Sequence, residues 1–287
     1  MSSRRKVAYA TSAALREGTP DDWRTRAGLE SHGFELVAAV WDDPTVDWAS
    51  FEAVVIRSTW DYFHRRDAFL AWVDRAAEKT RVWNSPTIVR WNSHKAYLRD
   101  LEARGVPIVA TEVVARGDRT SVRDAMRRRG WTRAVVKPAV AANAYGLKVV
   151  DVDALGAEGS PVAEGNPPDD LLVQPVMELA RSLGERSVIV VDGAVSHTVE
   201  YPFVLGGAPR EGRSFPLDAA TRTVALAAVA AAPAPTLYAR VDLLPERGGR
   251  WVVGELELIE PELFFRVDPG APAPFVDALV RRLEGPR

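Results

Sequence analysis

Short apolar runs alternate with amphipathic stretches over the first ninety residues. The segments KVAYA (6–10), FELVAAV (34–40) and FEAVVIRS (51–58) predict strands, because each is short, apolar and rich in β-branched or aromatic residues. PDDWRTRAGLESHG (20–33) predicts a helix that ends at its glycine, and RRDAFLAWVDRAAEK (65–79) predicts an amphipathic helix. This alternation predicts a small parallel α/β sheet, whose ligands usually lie at the carboxyl ends of the strands.

The pattern changes after residue 90, where short strands dominate. A helix is predicted over 95–104, a second over 218–231 and a terminal one from about 273. The predicted strands between these helices are AVVKPAV (134–140), GLKVVDV (146–152), LLVQPV (171–176), SVIVVDG (187–193), AVSHTVEY (194–201) and two more before the terminal helix. The Pro-rich segment EGNPPDD (164–170) is predicted to be an exposed loop. This part therefore reads as α+β with antiparallel sheet.

One predicted hairpin carries acidic residues where a core strand is expected. Two apolar runs flank Gly248-Gly249, a dipeptide suited to a two-residue turn because both positions tolerate positive φ. Such a turn would pair Asp242 with Glu255 and Arg240 with Glu257 on one face. The other face would then supply apolar residues to the core: Val241, Leu243, Leu256 and Leu258.

Three carboxylates and one arginine on one face indicate a cation site. Like charges this close are unfavourable unless a cation lies among them, and oxygen-only ligands favour Mg²⁺. The alternative is a solvated sheet face with an exposed ion pair, which stabilises little. Glu260 and Glu262 fall after the alternation breaks, and Pro261 stops the strand, so surface positions are predicted for both.

Composition narrows the functional classes. Apolar residues make up 47% of the 287 positions and charged residues 26%, which is typical of a globular protein, and a net charge of −2 argues against a polyanion-binding role. The absence of cysteine excludes thiol chemistry and favours a reducing cytoplasm. We expect small-molecule substrates, no nucleic acid and no membrane, with a homodimer as the candidate assembly.

Lysine is rare, with five lysines against 32 arginines, so a lysine inside a motif is informative. Lys137 ends a buried-looking strand and precedes the small-residue loop AVAANAYG (139–146), an arrangement that can fold backbone N–H groups over phosphates. A surface lysine before a turn is the alternative. Lys95 stands at the start of a helix, where simple solvation is again the alternative.

Six segments, in this order, resemble the ATP-grasp superfamily of carboxylate ligases over residues 85–265. They are NSHK (92–95), VVKPAV with YG (135–146), VQPVME (173–178), GERSVIVVDG (184–193), ARVD (239–242) and GELE (254–257). RSTWDY (57–62) is further similar to a subgroup that resembles the ligase closing the D-cycloserine ring. The resemblance implies a parallel α/β pre-ATP-grasp substrate domain over 1–90, a small lid subdomain over 91–178, and a C-terminal subdomain with the metal site over 179–287. The last two would clasp ATP.

The resemblance also implies roles for individual residues. Lys95 and Lys137 would hold the ATP phosphates, and Arg240 would stabilise charge on the transferred phosphoryl group. The remaining assignments are Gly146 in the phosphate loop, Gln174, Pro175, Val176 and Met177 around adenine, Glu178 or Glu185 on the ribose, and Asp242, Glu255 and Glu257 on one or two Mg²⁺ ions, with Mn²⁺ able to substitute. Two features depart from the family pattern: a second glutamate replaces the usual asparagine at 257, and the phosphate loop keeps only one glycine.

A substrate contact is predicted just after a strand of the parallel sheet. Arg57, Trp60, Asp61 and Tyr62 follow the strand's carboxyl end, where parallel sheets place ligands, and Arg57 could pair with a substrate carboxylate. The alternative is a structural turn in which Asp61 caps the next helix.

The resemblance implies an ADP-forming ligase that makes C–N bonds. A small, amino-acid-like carboxylate or carbonyl would be phosphorylated by ATP and then attacked by an amine or similar nucleophile. Natural-product biosynthesis with D-cycloserine-type ring closure is one form of this chemistry. A small-molecule kinase or a nucleotide-binding protein without turnover is the alternative; the intact set of Arg240 and three carboxylates disfavours the latter.

Overall fold

The structure is a computed structural model that describes residues 5–116, 121–155, 170–204 and 211–285. The loop predicted at 164–170 lies outside these ranges except for its last residue. The structure confirms a parallel first sheet of order β2-β1-β3-β4. Its elements are β1 Arg5–Thr11, α1 Arg26–Ser31, β2 Phe34–Val40, β3 Ala53–Ser58, α2 Arg66–Ala77 and β4 Arg81–Trp83, with short 3₁₀ helices at Ala13–Leu15, Asp22–Thr25, Trp48–Ser50 and Tyr62–Arg65.

The first predicted helix is shorter than its sequence pattern indicates. A 3₁₀ turn over Asp22–Thr25 replaces its first half, and the α-helix begins only at Arg26. The buried hydroxyl of Thr25 donates to the carbonyl of Asp22 and bonds the Tyr9 hydroxyl. This local side-chain bond to the backbone competes with the regular helical pattern, so the tighter turn forms instead.

The other two sheets are antiparallel, as predicted. The second has order β5-β8-β6-β7 and the third has order β10-β9-β11-β12. The second comprises β5 Glu112–Val114, β6 Arg133–Pro138, β7 Lys148–Asp151 and β8 Leu171–Pro175, and α5 Val122–Arg129 packs on it; α3 Pro86–Asn92 and α4 Tyr97–Ala103 precede it in the chain. The third comprises β9 Glu185–Val191, β10 Ala194–Tyr201, β11 Tyr238–Pro245 and β12 Trp251–Glu257, with α6 Ala180–Leu183, α7 Ala219–Ala230 and α8 Pro272–Glu284.

The β11–β12 hairpin has the predicted pairs but a different turn. Arg240 pairs with Glu257 and Asp242 with Glu255, which confirms the register at the site. The turn itself holds three residues, because the N–H of Glu246 donates to the carbonyl of Arg250 at 2.7 Å. The two-residue turn was therefore wrong by one position.

A bulge on β12 restores the register. Leu243 pairs with Val253 while Asp242 pairs with Glu255, so Gly254 is an extra residue on its strand. A Cβ at this position would meet the Leu244 side chain at 3.1 Å, which explains the glycine. The back of the hairpin is buried as predicted and packs in the core with helix α7: Val241, Leu243, Leu256 and Leu258.

The N-terminal sheet and the third sheet share one core. Val7 and Tyr9 of β1 lie in the same apolar cluster as Ile189 of β9 and Phe275 of α8. The three sheets correspond to the three predicted segments, while the division into domains stays a prediction. None of the helices in the described ranges has the length and hydrophobicity that a membrane span requires.

Candidate active site

A cavity of about 450 Å³ lies between the second and third sheets. Its walls come from the ends of β6 and β8, the loop after β6, the acidic face of β11 and β12, and the segment after β3. Most of the predicted site residues line it: Trp60, Tyr62, Lys95, Lys137, Gln174, Pro175, Val176, Met177, Glu185, Arg240, Asp242, Glu255 and Glu257.

Arg240 is the centre of the acidic face. It is only 6% exposed, and its guanidinium donates through Nε and Nη2 to the Asp242 carboxylate, at 2.9 Å in each case. A further donor of the same group binds Glu257. Burial alone would lower the pKa of Arg240, but Asp242 and Glu257 raise it well above its usual value. The guanidinium is therefore a fixed, permanent charge in this wall.

A chain of hydroxyl groups holds Asp242 from behind. The Ser187 hydroxyl on β9 donates to Asp242 Oδ1 at 2.5 Å and bonds the Tyr201 hydroxyl at 2.8 Å. These bonds form because β9 lies directly beside β11, where Asp242 pairs with Ser187. Asp242 is thus positioned by an adjacent strand as well as by Arg240.

The two motif lysines differ in their partners. Lys95 forms an ion pair with Glu255; burial would lower the pKa of Lys95, but Glu255 raises it. Burial lowers the pKa of Lys137, and the attraction of Glu255 does not fully offset this. In the described part of the chain Lys137 makes no ion pair within 4 Å, so its ammonium is available to an incoming anion.

The pKa values of the two paired glutamates, Glu255 and Glu257, are shifted in opposite directions. Burial, with the neighbouring Asp242 and Glu255, raises the pKa of Glu257 to about 7 despite Arg240. For Glu255, Lys95 and Lys137 outweigh burial and lower the pKa to about 2. The Glu255 carboxylate is therefore firmly ionised, whereas the Glu257 carboxylate beside it takes up a proton more readily.

The carboxylates are held by cations rather than gathered around a metal position. Across the described ranges, no group of three His, Cys, Asp or Glu side chains is arranged to hold a metal ion. Glu255 is committed to Lys95, and Asp242 and Glu257 are committed to Arg240. The donor set itself consists of oxygen ligands, which suit Mg²⁺, once Lys95 and Arg240 turn to another anion.

The end of β8 forms the opposite wall. Gln174 is buried and its amide donates to the Thr111 hydroxyl at 2.9 Å, which fixes the side chain beside the cavity. Of the two ribose candidates, Glu185 lines the cavity, whereas Glu178 pairs with Arg133 at 3.1 Å and is outside the lining. The placement therefore favours Glu185.

The loop after β6 covers one side of the cavity. Its residues 141–145 line the cavity, and three of its positions have φ above +50°, the consecutive pair Asn143 and Ala144 and then Gly146. Only one of these high-φ positions, at +69°, is occupied by glycine. That glycine lies so close to Pro138 that a Cβ would approach its ring to 2.9 Å. Gly146 thus shapes the loop and does not itself line the cavity.

The left-handed backbone of this loop is at Asn143, Ala144 and Gly146, with φ of 51°, 55° and 69°. Tyr145 stands between them and is 55% exposed. Its ring lies 5.2 Å from the Phe63 ring and 5.3 Å from the His64 ring, measured between centroids. The loop therefore contacts the N-terminal unit across the mouth of the cavity.

Replacing Tyr145 with alanine is expected to weaken closure of this loop. Aromatic pairs of this kind contribute about 0.5–1.5 kcal/mol, so we expect the KM for ATP to rise about three- to tenfold. Steady-state kinetics of ADP release measures the effect, with Tyr145→Phe as the matched control that keeps the ring. Equal KM values for Tyr145→Ala and the parent protein would contradict a closing role.

The predicted substrate segment divides into two pairs. Trp60 and Tyr62 line the cavity, whereas Arg57 and Asp61 are outside its described lining. Arg57 is 2% exposed and forms an ion pair with Asp22 at 2.9 Å, so the predicted contact with a substrate carboxylate is corrected to a buried structural pair. The Asp61 carboxylate accepts from the Trp41 indole and makes no capping bond.

Two residues predicted on the surface lie at the cavity instead. Glu260 and Glu262 both line it, and the segment that carries them is bonded to the site through the backbone carbonyl of Glu260, which accepts from Trp60. The Glu262 side chain pairs with Arg266, and its carbonyl accepts from Arg240 at 3.2 Å. The regular alternation of the strand ends at Glu257, so the sequence pattern gave no signal for either position.

Comparisons with known proteins place this chain among relatives with a shared sequence. The family described as the N-terminal domain of D-cycloserine synthetase DcsG matches residues 7–84. The cycloserine biosynthesis protein DcsG of Streptomyces lavendulae is 35% identical over 268 residues, which cover 85% of this chain and 87% of that protein.

Solved structures also match this chain, and DcsG is again among them. The crystal structure of D-cycloserine synthetase DcsG matches with a TM-score of 0.84 and 29% identity, over 97% of this chain and 100% of that one. The ATP-grasp ligase PsnB, in complex with a minimal precursor, Mg and ADP, matches in fold with a TM-score of 0.65 and 18% identity, over 97% of each chain. This chain therefore has the fold of the ATP-grasp ligases and belongs to the family of the cycloserine biosynthesis protein DcsG.

Proposed function

We propose that this ATP-dependent ligase activates the carboxylate of a small, amino-acid-like substrate as an acyl phosphate, which an amine or similar nucleophile then captures. The observation that carries this proposal is the single cavity wall on which Arg240, Asp242, Glu255 and Glu257 lie, facing Lys137. Such a wall suits the terminal phosphates of a nucleotide, because it offers cations for the phosphates and oxygen ligands for their metal.

Asp242, Glu255 and Glu257 are the residues that would hold Mg²⁺. When bound, the metal would neutralise charge on the nucleotide phosphates and so favour phosphoryl transfer. The present ion pairs fit this role, since Lys95 and Arg240 are the groups that phosphates would draw away from the carboxylates. Lys137, without an ion pair in the described ranges, would meet the phosphates directly.

The protein's own groups account for the rest of the chemistry. Arg240 would offset charge that develops on the phosphoryl group during transfer to the substrate carboxylate. The loop at 138–146 would exclude water from the acyl phosphate. The nucleophile's nitrogen then forms a bond with the carbonyl carbon, the bond to the phosphate oxygen breaks, and phosphate and a proton are released.

We further propose that the nucleophile lies in the same molecule as the carboxylate, so that a ring closes. The support is the relative named D-cycloserine synthetase, which is similar to this chain over nearly its whole length. The acid obtained by opening the D-cycloserine lactam is O-amino-D-serine, and it is the probe we choose.

Incubation with ATP, Mg²⁺ and O-amino-D-serine is expected to give D-cycloserine, ADP and phosphate in equal amounts, measured by mass spectrometry and phosphate release. Added hydroxylamine is expected to trap the acyl phosphate as a hydroxamate when a non-cyclising amino acid replaces the probe. With D-serine, whose hydroxyl can accept a phosphoryl group, in place of the probe, ADP and a stable phosphate ester without any hydroxamate would instead identify a small-molecule kinase and overturn the ligase proposal.

Three finer features are also part of the proposal: Mn²⁺ can substitute for Mg²⁺, the assembly is a homodimer, and the protein works in the cytoplasm. The first rests on the oxygen-only donor set, which both metals accept. Activity with each metal and sedimentation analysis test the first two.

A further inference from the structure

The proposed chemistry gives no role to the acidic side chain of Glu260. This residue lines the cavity, and its backbone carbonyl accepts from the Trp60 indole N–H at 3.0 Å. Its carboxylate makes no hydrogen bond or ion pair with any residue in the described ranges. The other glutamates of this segment are all paired: Glu255 with Lys95, Glu257 with Arg240 and Glu262 with Arg266.

The surroundings of Glu260 favour an added positive charge. Burial raises its pKa well above the usual value, and the repulsion of Glu257 and Glu255 adds to this effect. The nearby cations Lys95 and Arg240 are committed to other carboxylates. A carboxylate in such a place is unfavourable until a partner of opposite charge arrives, and the cavity is the route by which one can.

Aromatic side chains make this part of the wall suitable for an organic cation. Trp60 and Tyr62 line the cavity beside Glu260, and the Trp60 bond to its backbone ties the two segments together. An ammonium group is attracted both by a carboxylate and by the faces of such rings. A hydrated Mg²⁺ ion would gain little from the rings, since it requires oxygen ligands.

We propose that Glu260 binds the ammonium group of the substrate, so that the site selects carboxylates that carry an amino group. This inference rests on the proposed function, because it assigns a substrate contact within the same cavity. The position fits: Trp60 and Tyr62 follow the carboxyl end of β3, where a parallel sheet places its ligand. Glu260 is thus a specificity-determining residue that acts on the substrate and not on the nucleotide.

The test compares ligands that differ only at the amino group. O-amino-D-serine is paired with 3-(aminooxy)propanoate, and D-alanine with D-lactate, each titrated by calorimetry into protein saturated with ADP and Mg²⁺. For the parent protein we expect the amino member of at least one pair to bind at least about 30-fold more tightly. In Glu260→Gln this preference should vanish. Glu246 is a partly exposed residue near the hairpin turn that pairs with Arg250, and Glu246→Gln should keep the preference.

A separate titration of ADP and Mg²⁺ distinguishes the two roles that Glu260 could have. Unchanged affinity for ADP and Mg²⁺ in Glu260→Gln, together with loss of the amino preference, supports the proposal. Loss of that affinity with the preference retained would make Glu260 a metal ligand and overturn it. Binding of neither amino acid by the parent protein, or equal binding within both pairs, would also overturn it. These titrations need no turnover, so they can fail while ligase activity is present.

Discussion

Replacing Arg240 with lysine is expected to lower kcat by about 10³-fold while the protein stays folded and still binds ADP. The guanidinium reaches Asp242 and Glu257 at once, a geometry that a single ammonium cannot reproduce. An arginine that stabilises the charge of a transferred phosphoryl group contributes about 10³–10⁵ to the rate, so its loss should fall mainly on kcat.

Lysine is a sharper choice than alanine at this position. Removing the charge altogether would leave the buried Asp242 and the adjacent Glu257 without a partner, and breaking a buried pair costs about 3–5 kcal/mol. Arg240→Ala is therefore expected to lose activity and stability together. Arg240→Lys keeps the positive charge and so isolates the contribution of the guanidinium geometry, which reaches two carboxylates at once.

Single-turnover ADP release from the Arg240→Lys variant measures the chemical step, and calorimetry with ADP and Mg²⁺ measures binding. Glu255→Gln is the companion variant: it should also abolish turnover, but through weaker binding of Mg²⁺ with ADP. A kcat within tenfold of the parent value for Arg240→Lys would show that this arginine is not at the transferred phosphoryl group.

The acidic hairpin shows how far sequence pattern can reach. The period-2 alternation put Arg240, Asp242, Glu255 and Glu257 on one face, and the pairs formed as expected. The predicted turn was one residue too short, yet the bulge at Gly254 compensated for it. Alternation constrains which face a side chain occupies more strongly than it constrains where the turn begins, because a one-residue slip would turn these charges into the apolar core.

Long-range partners lie beyond local pattern. Arg57 could be placed after a strand, but the pattern could not reveal that Asp22, 35 positions earlier, neutralises it in the core. Glu260 follows the end of the alternation, and its bond with Trp60 spans 200 positions. In both cases the position depends on how distant segments pack, whereas the residues of the hairpin depend on neighbours across one turn.

The amide of Asn84 joins two of the sheets, and its loss is the second large effect that we expect. The side chain is fully buried and donates to the carbonyls of Tyr238 at 2.9 Å and Leu258 at 2.7 Å. Its oxygen accepts from the N–H of Leu237 at 2.7 Å. Asn84 follows the last strand of the N-terminal sheet, so these three bonds tie that sheet to the start of β11 and to the residue just after β12.

Asn84→Ala would leave three buried backbone groups without these bonds. Each such group costs about 1–3 kcal/mol, so we expect the free energy of unfolding to fall by about 3–5 kcal/mol. Urea denaturation followed by tryptophan fluorescence measures this, and it reports mainly on the N-terminal part, where seven of the nine tryptophans lie.

Asn92→Ala provides the matched comparison. Asn92 makes two bonds of the same kind, to the carbonyl of Leu256 at 2.8 Å and from the N–H of Leu258 at 2.9 Å, so its loss should be smaller. Saturating ADP and Mg²⁺ should raise the unfolding midpoint of the parent protein in the same fluorescence signal, because the shared core and Asn84 couple the tryptophan-rich sheet to the acidic hairpin, where we propose that the nucleotide binds. In Asn84→Ala that shift should shrink or split into two transitions. A single transition with the parent's full shift would mean that the core alone couples the units and that Asn84 is dispensable for the link.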